Sequence, residues 1–317
     1  MKHFLLFLLL FPILAFSQSE IAEAERLFQE KNYVEMEQLM LDFLEDHPEN
    51  LRAIELLGDA YAYQKKWDEA KVQFKKLLEV DDKNANYHYK YGGMLGMKAL
   101  ENKFSALGLI GDVKSSFKMA ADLDPNHIEV RWALVELYMQ LPGLFGGSKT
   151  KSLHYAEELE NLSKVDGYLA KGYIYEYDNE PDRAETYYKM AINEGGSLTC
   201  FEKLTQFYEN ENEPEKAIHN IEVAQQKYQR NSLHYQIGKI AAEYNVALDK
   251  GEQCLNTYLK NYTVKDGVPK AWAHYRLAQI HMHKNHKRKA LEHIDMAIAE
   301  LPKIKTFKEQ KEKIVNM

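Results

Sequence analysis

Apolar residues recur along most of this chain at helical spacing. From Leu51 to Asn84 it reads LRAIELLGDAYAYQKKWDEAKVQFKKLLEVDDKN, and Ile54, Leu57, Gly58 and Tyr61 fall at i, i+3, i+4 and i+7. That spacing gathers them on one face of a helix. After the polar turn QKKW, Ala70, Phe74 and Leu77 draw the face of a second helix. Small residues at Gly58 and Ala70 let the two helices approach closely. The rings of Tyr61 and Phe74 fill the space beside them.

The pattern returns along the chain. Residues 20–50 carry it in degenerate form, with Ala24, Leu27, Met36, Met40 and Phe43 as core places and Pro48 as the stop. Residues 85–127 give Tyr91-Gly92-x-x-Leu95 and then Val113-x-x-x-Phe117-x-x-Ala120, with an extra segment, 101–111, expected between the two helices. Residues 128–164 give Leu134, Val135 and Tyr138, a Gly-rich loop over 141–150, and then Ser152, Ala156 and Leu159. Residues 165–197 repeat the small-and-large spacing as Gly172-x-x-Tyr175 and Ala184-x-x-x-Tyr188-x-x-Ala191. Residues 198–230 offer Leu204, Tyr208, Ala217, Ile221 and Ala224. Residues 231–270 offer Ile237-Gly238-x-x-Ala241, Leu248, Cys254 and Tyr258. Residues 271–304 offer Leu277-Ala278 and Ala290-x-x-x-Ile294-x-x-Ala297, and the charged stretch 305–317 reads as a solvating terminal helix.

Leu57-Gly58-x-x-Tyr61 followed by Ala70-x-x-x-Phe74, recurring near a 34-residue period, resembles the tetratricopeptide repeat (TPR) family. The resemblance covers roughly residues 20–315, as about eight repeats and a C-terminal cap. It implies an all-α solenoid, a right-handed superhelix of antiparallel helix pairs. Each pair buries its apolar face on the next, and the first helices line a concave binding surface. On that frame the inward-facing places are Tyr63, Tyr89, Lys90, Trp132, Tyr173, Tyr177, Tyr235, Lys239, Trp272, Tyr275 and Arg276. Tyr, Trp and Arg dominate binding hot spots, so a protein or peptide ligand along the groove is expected. The same rings stack on sugars, which keeps a glycan ligand open. The Lys and Asn clamp by which some members of the family hold a C-terminal carboxylate is not reproduced in any adjacent pair of repeats.

Two stretches invite a chemical reading. Gly143 to Thr150 (GLFGGSKT) follows the Walker A spacing except that Ser148 stands for the second glycine. A phosphate loop needs a strand before it, whereas a helix is predicted here, so a turn between two helices is expected. The phrase PG-x-x-GGSK is similar to a loop in a subgroup of exported bacterial TPR proteins, which implies no activity. His281, His283 and His286 crowd one helix end, with His274 and His293 nearby. Spacings of two and three send the first three in diverging directions, so a solvated helix end is expected rather than a zinc site. No nucleophile or paired carboxylate has a recognisable catalytic surround. No catalytic residue, cofactor or metal is therefore assigned, and the alternative of an enzyme rests on these two stretches.

Composition narrows the setting. The net charge is −7 and becomes −8 if Lys2 is removed, which argues against a nucleic-acid partner. The opening MKHFLLFLLLFPILAFSQ has a basic start, a short apolar core and small residues before Gln18. It reads as a signal peptide over residues 1–17, giving an exported protein, periplasmic or secreted. Cys200 and Cys254 are the only cysteines, expected as core thiols and not a bridge.

Overall fold

The computed structural model describes residues 19–101 and 103–317. The proposed signal peptide, 1–17, lies outside the described residues. The chain is all-α, with no strand among the described residues. None of the described helices is long and apolar enough to cross a membrane.

Contacts divide the chain into two compact units, one ending at Leu162 and one running from Ser163 to Met317. The first holds α1 (residues 19–29), α2 (Tyr33–Asp46), α3 (Leu51–Tyr63), α4 (Trp67–Val80), α5 (Ala85–Glu101), α6 (Lys103–Leu123), α7 (Ile128–Gln140) and α8 (Lys149–Leu162). The second holds α9 (Lys164–Tyr177), α10 (Pro181–Glu194), α11 (Leu198–Asn210), α12 (Pro214–Tyr228), α13 (Asn231–Tyr244), α14 (Leu248–Lys260), α15 (Lys270–His283), α16 (Lys287–Glu300) and α17 (Lys305–Val315). Within each unit, helices pack in sequential pairs, and each pair leans on the next.

Sequence chemistry explains the helix starts. Asn50, Ser163 and Ser197 each accept a hydrogen bond from a backbone N–H of the first turn that follows. Pro181 and Pro214 open α10 and α12, where a missing N–H costs nothing. The turns inside the pairs repeat one device. Lys31, Lys65, Asn179, Asn212 and Asn285 all take left-handed φ values of 56–62°, each two residues before a second helix. One residue later the backbone N–H of Asn32, Lys66, Glu180, Glu213 or His286 reaches back to the carbonyl of Leu27, Tyr61, Tyr175, Tyr208 or His281, at 2.8–2.9 Å. These bonds satisfy carbonyls that the ending helix leaves open.

The close approaches sit where the small residues are. A Cβ on Gly58 would lie 2.7 Å from Phe74 Cε1, and one on Gly172 would lie 2.6 Å from Tyr188 Cε1. Phe74 and Tyr188 are buried, and each ring occupies the space that a side chain on the facing helix would fill. In the pair α13/α14 the partner of Gly238 is Leu255, which is buried. Cys254, its neighbour, is only partly buried and is therefore not the core thiol expected; Cys200 is buried, and neither is bridged. Burial pushes the Cys254 thiol up.

The extra segment 101–111 does not separate two helices. It is taken up by them, because α5 runs to Glu101 and α6 begins at Lys103. This pair is consequently the longest, at 17 and 21 residues. In the second unit, α17 closes the array by burying Phe307 and Ile314.

Candidate functional site: an apolar cleft on the first helices

The lengthened α5 lines a mainly apolar cleft of about 650 Å³ in the first unit. Its walls come from the first helices α3, α5 and α7, with Ile110, Val113 and Phe117 of α6 and Trp67 and Phe74 of α4 completing it. Gly93 carries nothing within 4 Å of where a side chain would begin, which leaves the floor open. Met97 and Leu100 stand on the last turns of α5, 48% and 64% exposed. Leu137 and Leu141 face the cleft from the end of α7, and Tyr63 from the end of α3. A concave, mainly apolar surface with a few polar groups on its rim is what ligand and peptide sites share.

Of the eleven residues expected to face a groove, the structure brings Tyr63, Tyr89 and Lys90 together in this cleft. Tyr63 is exposed and stacks on Tyr33 at 4.8 Å between ring centroids. Tyr89 is partly buried beside Phe117 and His127, and burial pushes its hydroxyl up. Trp132 is partly buried on α7 but does not line the cleft, where α7 presents Ala133, Glu136 and Leu137.

The second unit corrects several other assignments. Tyr275 is buried and stacks on Phe307 at 5.2 Å, while Trp272 meets the same ring edge-on at 4.9 Å. Both help seal the joint with α17, Tyr275 buried and Trp272 partly buried. Tyr235 is buried against Tyr258 at 5.4 Å and belongs to the core. The coverage differs: Tyr235 packs on Tyr258 of α14, the second helix of its own pair, whereas Trp272 and Tyr275 meet the terminal helix α17. Tyr177 remains exposed and Tyr173 partly so, with their rings 6.0 Å apart.

The cations are also committed. Lys90 Nζ lies 2.5 Å from Asp59 and 2.8 Å from Glu55. Lys239 lies 3.3 Å from Glu209 and 3.7 Å from Glu243, and Arg276 lies 2.6 Å from Glu243. Each reaches back about one repeat, so first helices are riveted side by side by charge. These are not free cations awaiting an acidic ligand. One ammonium serves two carboxylates at Lys90, and the carboxylates diverge. Burial holds Asp59 above its usual range against the pull of Lys90. At Glu55 burial also pushes upward, but Lys90 and Arg52 together outweigh it and the carboxyl is lowered.

What the sequence reading missed is Met97, Leu100 and Leu141. For Met97 and Leu100 the signal was the run GGMLGMKAL, apolar beyond what one buried face needs.

The two stretches with a chemical appearance resolve into structure. The Gly-rich loop is preceded by α7 and forms a single 3₁₀ turn, Gly143–Phe145. The amides at its centre are spent: Phe145 and Gly147 donate to Pro142 O, Gly146 to Gly143 O, and Ser148 to Tyr138 O. Such a loop has no nest of amides to wrap a phosphate. Gly147 sits against the Leu141 carbonyl, where any side chain would collide. The histidines are a solvated helix end only in part: His286 is exposed and His283 partly buried, but His281 is not. His281 is 2% exposed, its ring stacked on His293 at 5.3 Å. Among the described residues no three potential ligands converge as a metal site.

No family model and no curated protein matches the sequence. Solved structures do. A thermophilic TPR protein of Thermus thermophilus superposes with a TM-score of 0.51 at 14% identity, over 61% of this chain and 97% of that one. A tetratricopeptide repeat protein of Parabacteroides merdae gives 0.48 at 14% identity, over 94% and 98%. The APC/C hetero-tetramer Cut9–Hcn1 gives 0.44 at 14% identity, over 93% of this chain and 55% of that one. The Thermus likeness establishes the fold, an all-α helical repeat of the TPR kind, and identity this low speaks to the fold alone.

Proposed function

We propose that this chain is a non-catalytic scaffold that holds a partner chain in the cleft lined by α3, α5 and α7, and that it works in the cell envelope after export. The observation that carries the reading is the cleft itself. Met97 and Leu100 are large, apolar and exposed in a concavity whose neighbouring cation, Lys90, is already neutralised. Such a surface suits the apolar side of a helix or an extended segment, with Tyr63 as an aromatic anchor at its edge. The setting rests on the apolar N-terminal run and the net charge of −7.

Substitution tests the reading without disturbing the core. Met97→Glu and Leu100→Glu alter exposed side chains, and surface changes of this kind leave stability nearly unchanged. Either one is expected to abolish capture of the partner by the intact protein. Val72→Glu, exposed on α4, is expected to leave capture intact. Equal capture by all three variants contradicts the assignment of the cleft.

A further inference from the structure

Four imidazoles form a continuous file across the last helix pair. His274 and His281 lie two turns apart on one side of α15, and His293 of α16 sits between them. His274 Nδ1 and His293 Nδ1 are 3.1 Å apart, with the rings 5.4 Å centroid to centroid. His293 stacks on His281 at 5.3 Å and 10° between planes, and His281 meets His286 at 5.9 Å. His281 is 2% exposed, and its Nδ1 is buried without a hydrogen-bond partner. We infer that this file is a proton-sensitive latch: neutral, it holds α15 and α16 together, and protonated, it loosens the pair.

The chemistry follows from the contacts. Two ring nitrogens at 3.1 Å share a hydrogen bond only when one carries a proton and the other a lone pair. A second proton turns the bond into a repulsion between two N–H groups. Protonating His281 places a charged ring beside two others, with one N–H facing no acceptor. The surrounding charges do not cancel this. From α14, Glu252 lies 3.7 Å from His281 Nε2, but it also accepts from Lys284 at 2.6 Å. Lys289 of α16 and Lys270 of α15 oppose a positive ring, while Glu300 of α16 favours one at His274. On α13, Glu243 is held by Arg276, and on α17, Lys311 is held by Asp295. His283 turns away to the Ala242 carbonyl of α13.

Burial pushes His274 and His281 down, and burial with its two neighbouring imidazoles pushes His293 down to about 4. A base whose folded pKa is depressed stabilises the closed pair above its unfolded value of 6.5, and that stability falls away as the pH drops below it. For His293 alone, local opening becomes about tenfold more favourable at pH 5 than at pH 7 once its partial exposure is allowed for.

Hydrogen exchange on the intact chain at pH 7 and pH 5, corrected for intrinsic rates, reads the latch directly. Opening of α15 and α16 is expected to rise about tenfold more than opening of α3 and α4, as the proton linkage requires. His293→Gln is expected to remove most of that difference. Equal responses in the two regions, or an undiminished response in the variant, overturns the inference. If the variant does not fold, the unmodified chain still decides: imidazole resonances of His281 and His293 that titrate at the ordinary 6.5 overturn it as well.

Discussion

Gly58 sets how closely α3 and α4 approach, because the Phe74 ring occupies the place of its side chain. Gly58→Leu is expected to cost about 1–3 kcal/mol, as overpacking does, and a denaturant titration measures it. Phe74→Leu in the same chain should recover part of the loss. Lys90 is a different kind of residue, one ammonium shared by Glu55 and Asp59 and mostly out of solvent. Lys90→Met strands the Asp59 carboxylate, while Glu55 keeps Arg52 at 2.8 Å, and is expected to destabilise by about 3 kcal/mol, by the cost of an uncompensated buried charge. A melt showing no loss removes the claim that first helices are riveted by charge. Gly58 and its ring were legible in the sequence, because small and large residues at helical spacing have one reading. The fate of Lys90, Lys239 and Arg276 was not. Their partners lie about a repeat upstream, where helical periodicity carries no information about contact.

The helix pair is the next unit of explanation. Its turn depends on one left-handed residue, filled by Lys at two places and Asn at three. Asn tolerates that conformation and Lys does so less readily, which is why no uniform turn signature stands out in the sequence. Where the turn device is replaced, the pair changes character. The Gly-rich loop closes α7 on α8, and α5 and α6 lengthen to build the cleft. In the second unit, α17 seals the array through Phe307, and Trp272 and Tyr275 answer it. Periodicity put both rings on the correct helix, but it could not say that a further helix covers them. Phe307→Ala is expected to cost about 3–5 kcal/mol. The loss should appear as raised hydrogen exchange in α15 to α17, with α9 and α10 unchanged. A loss spread evenly over the second unit contradicts a capping role.

Across the whole molecule, repetition supplies the stability and departure from repetition supplies the proposed site. Regular pairs bury their small-and-large faces on one another and leave mainly charged residues outside. The longer pair α5/α6 adds a cleft, where Met97 and Leu100 stand exposed near Tyr63 and Tyr89. The Gly-rich loop, the stretch most like a catalytic motif in the sequence, proves to be a self-satisfied turn, so calorimetry with ATP is expected to give no heat of binding. The most direct measurement on the central claim is site-specific photo-crosslinking in the native source, with the probe placed at residue 97 in the cleft or at residue 72 on α4. The expected result is a discrete heavier adduct from position 97 and none from position 72. Adducts from position 72 alone, or the same adducts from both, would contradict a partner held on the first helices.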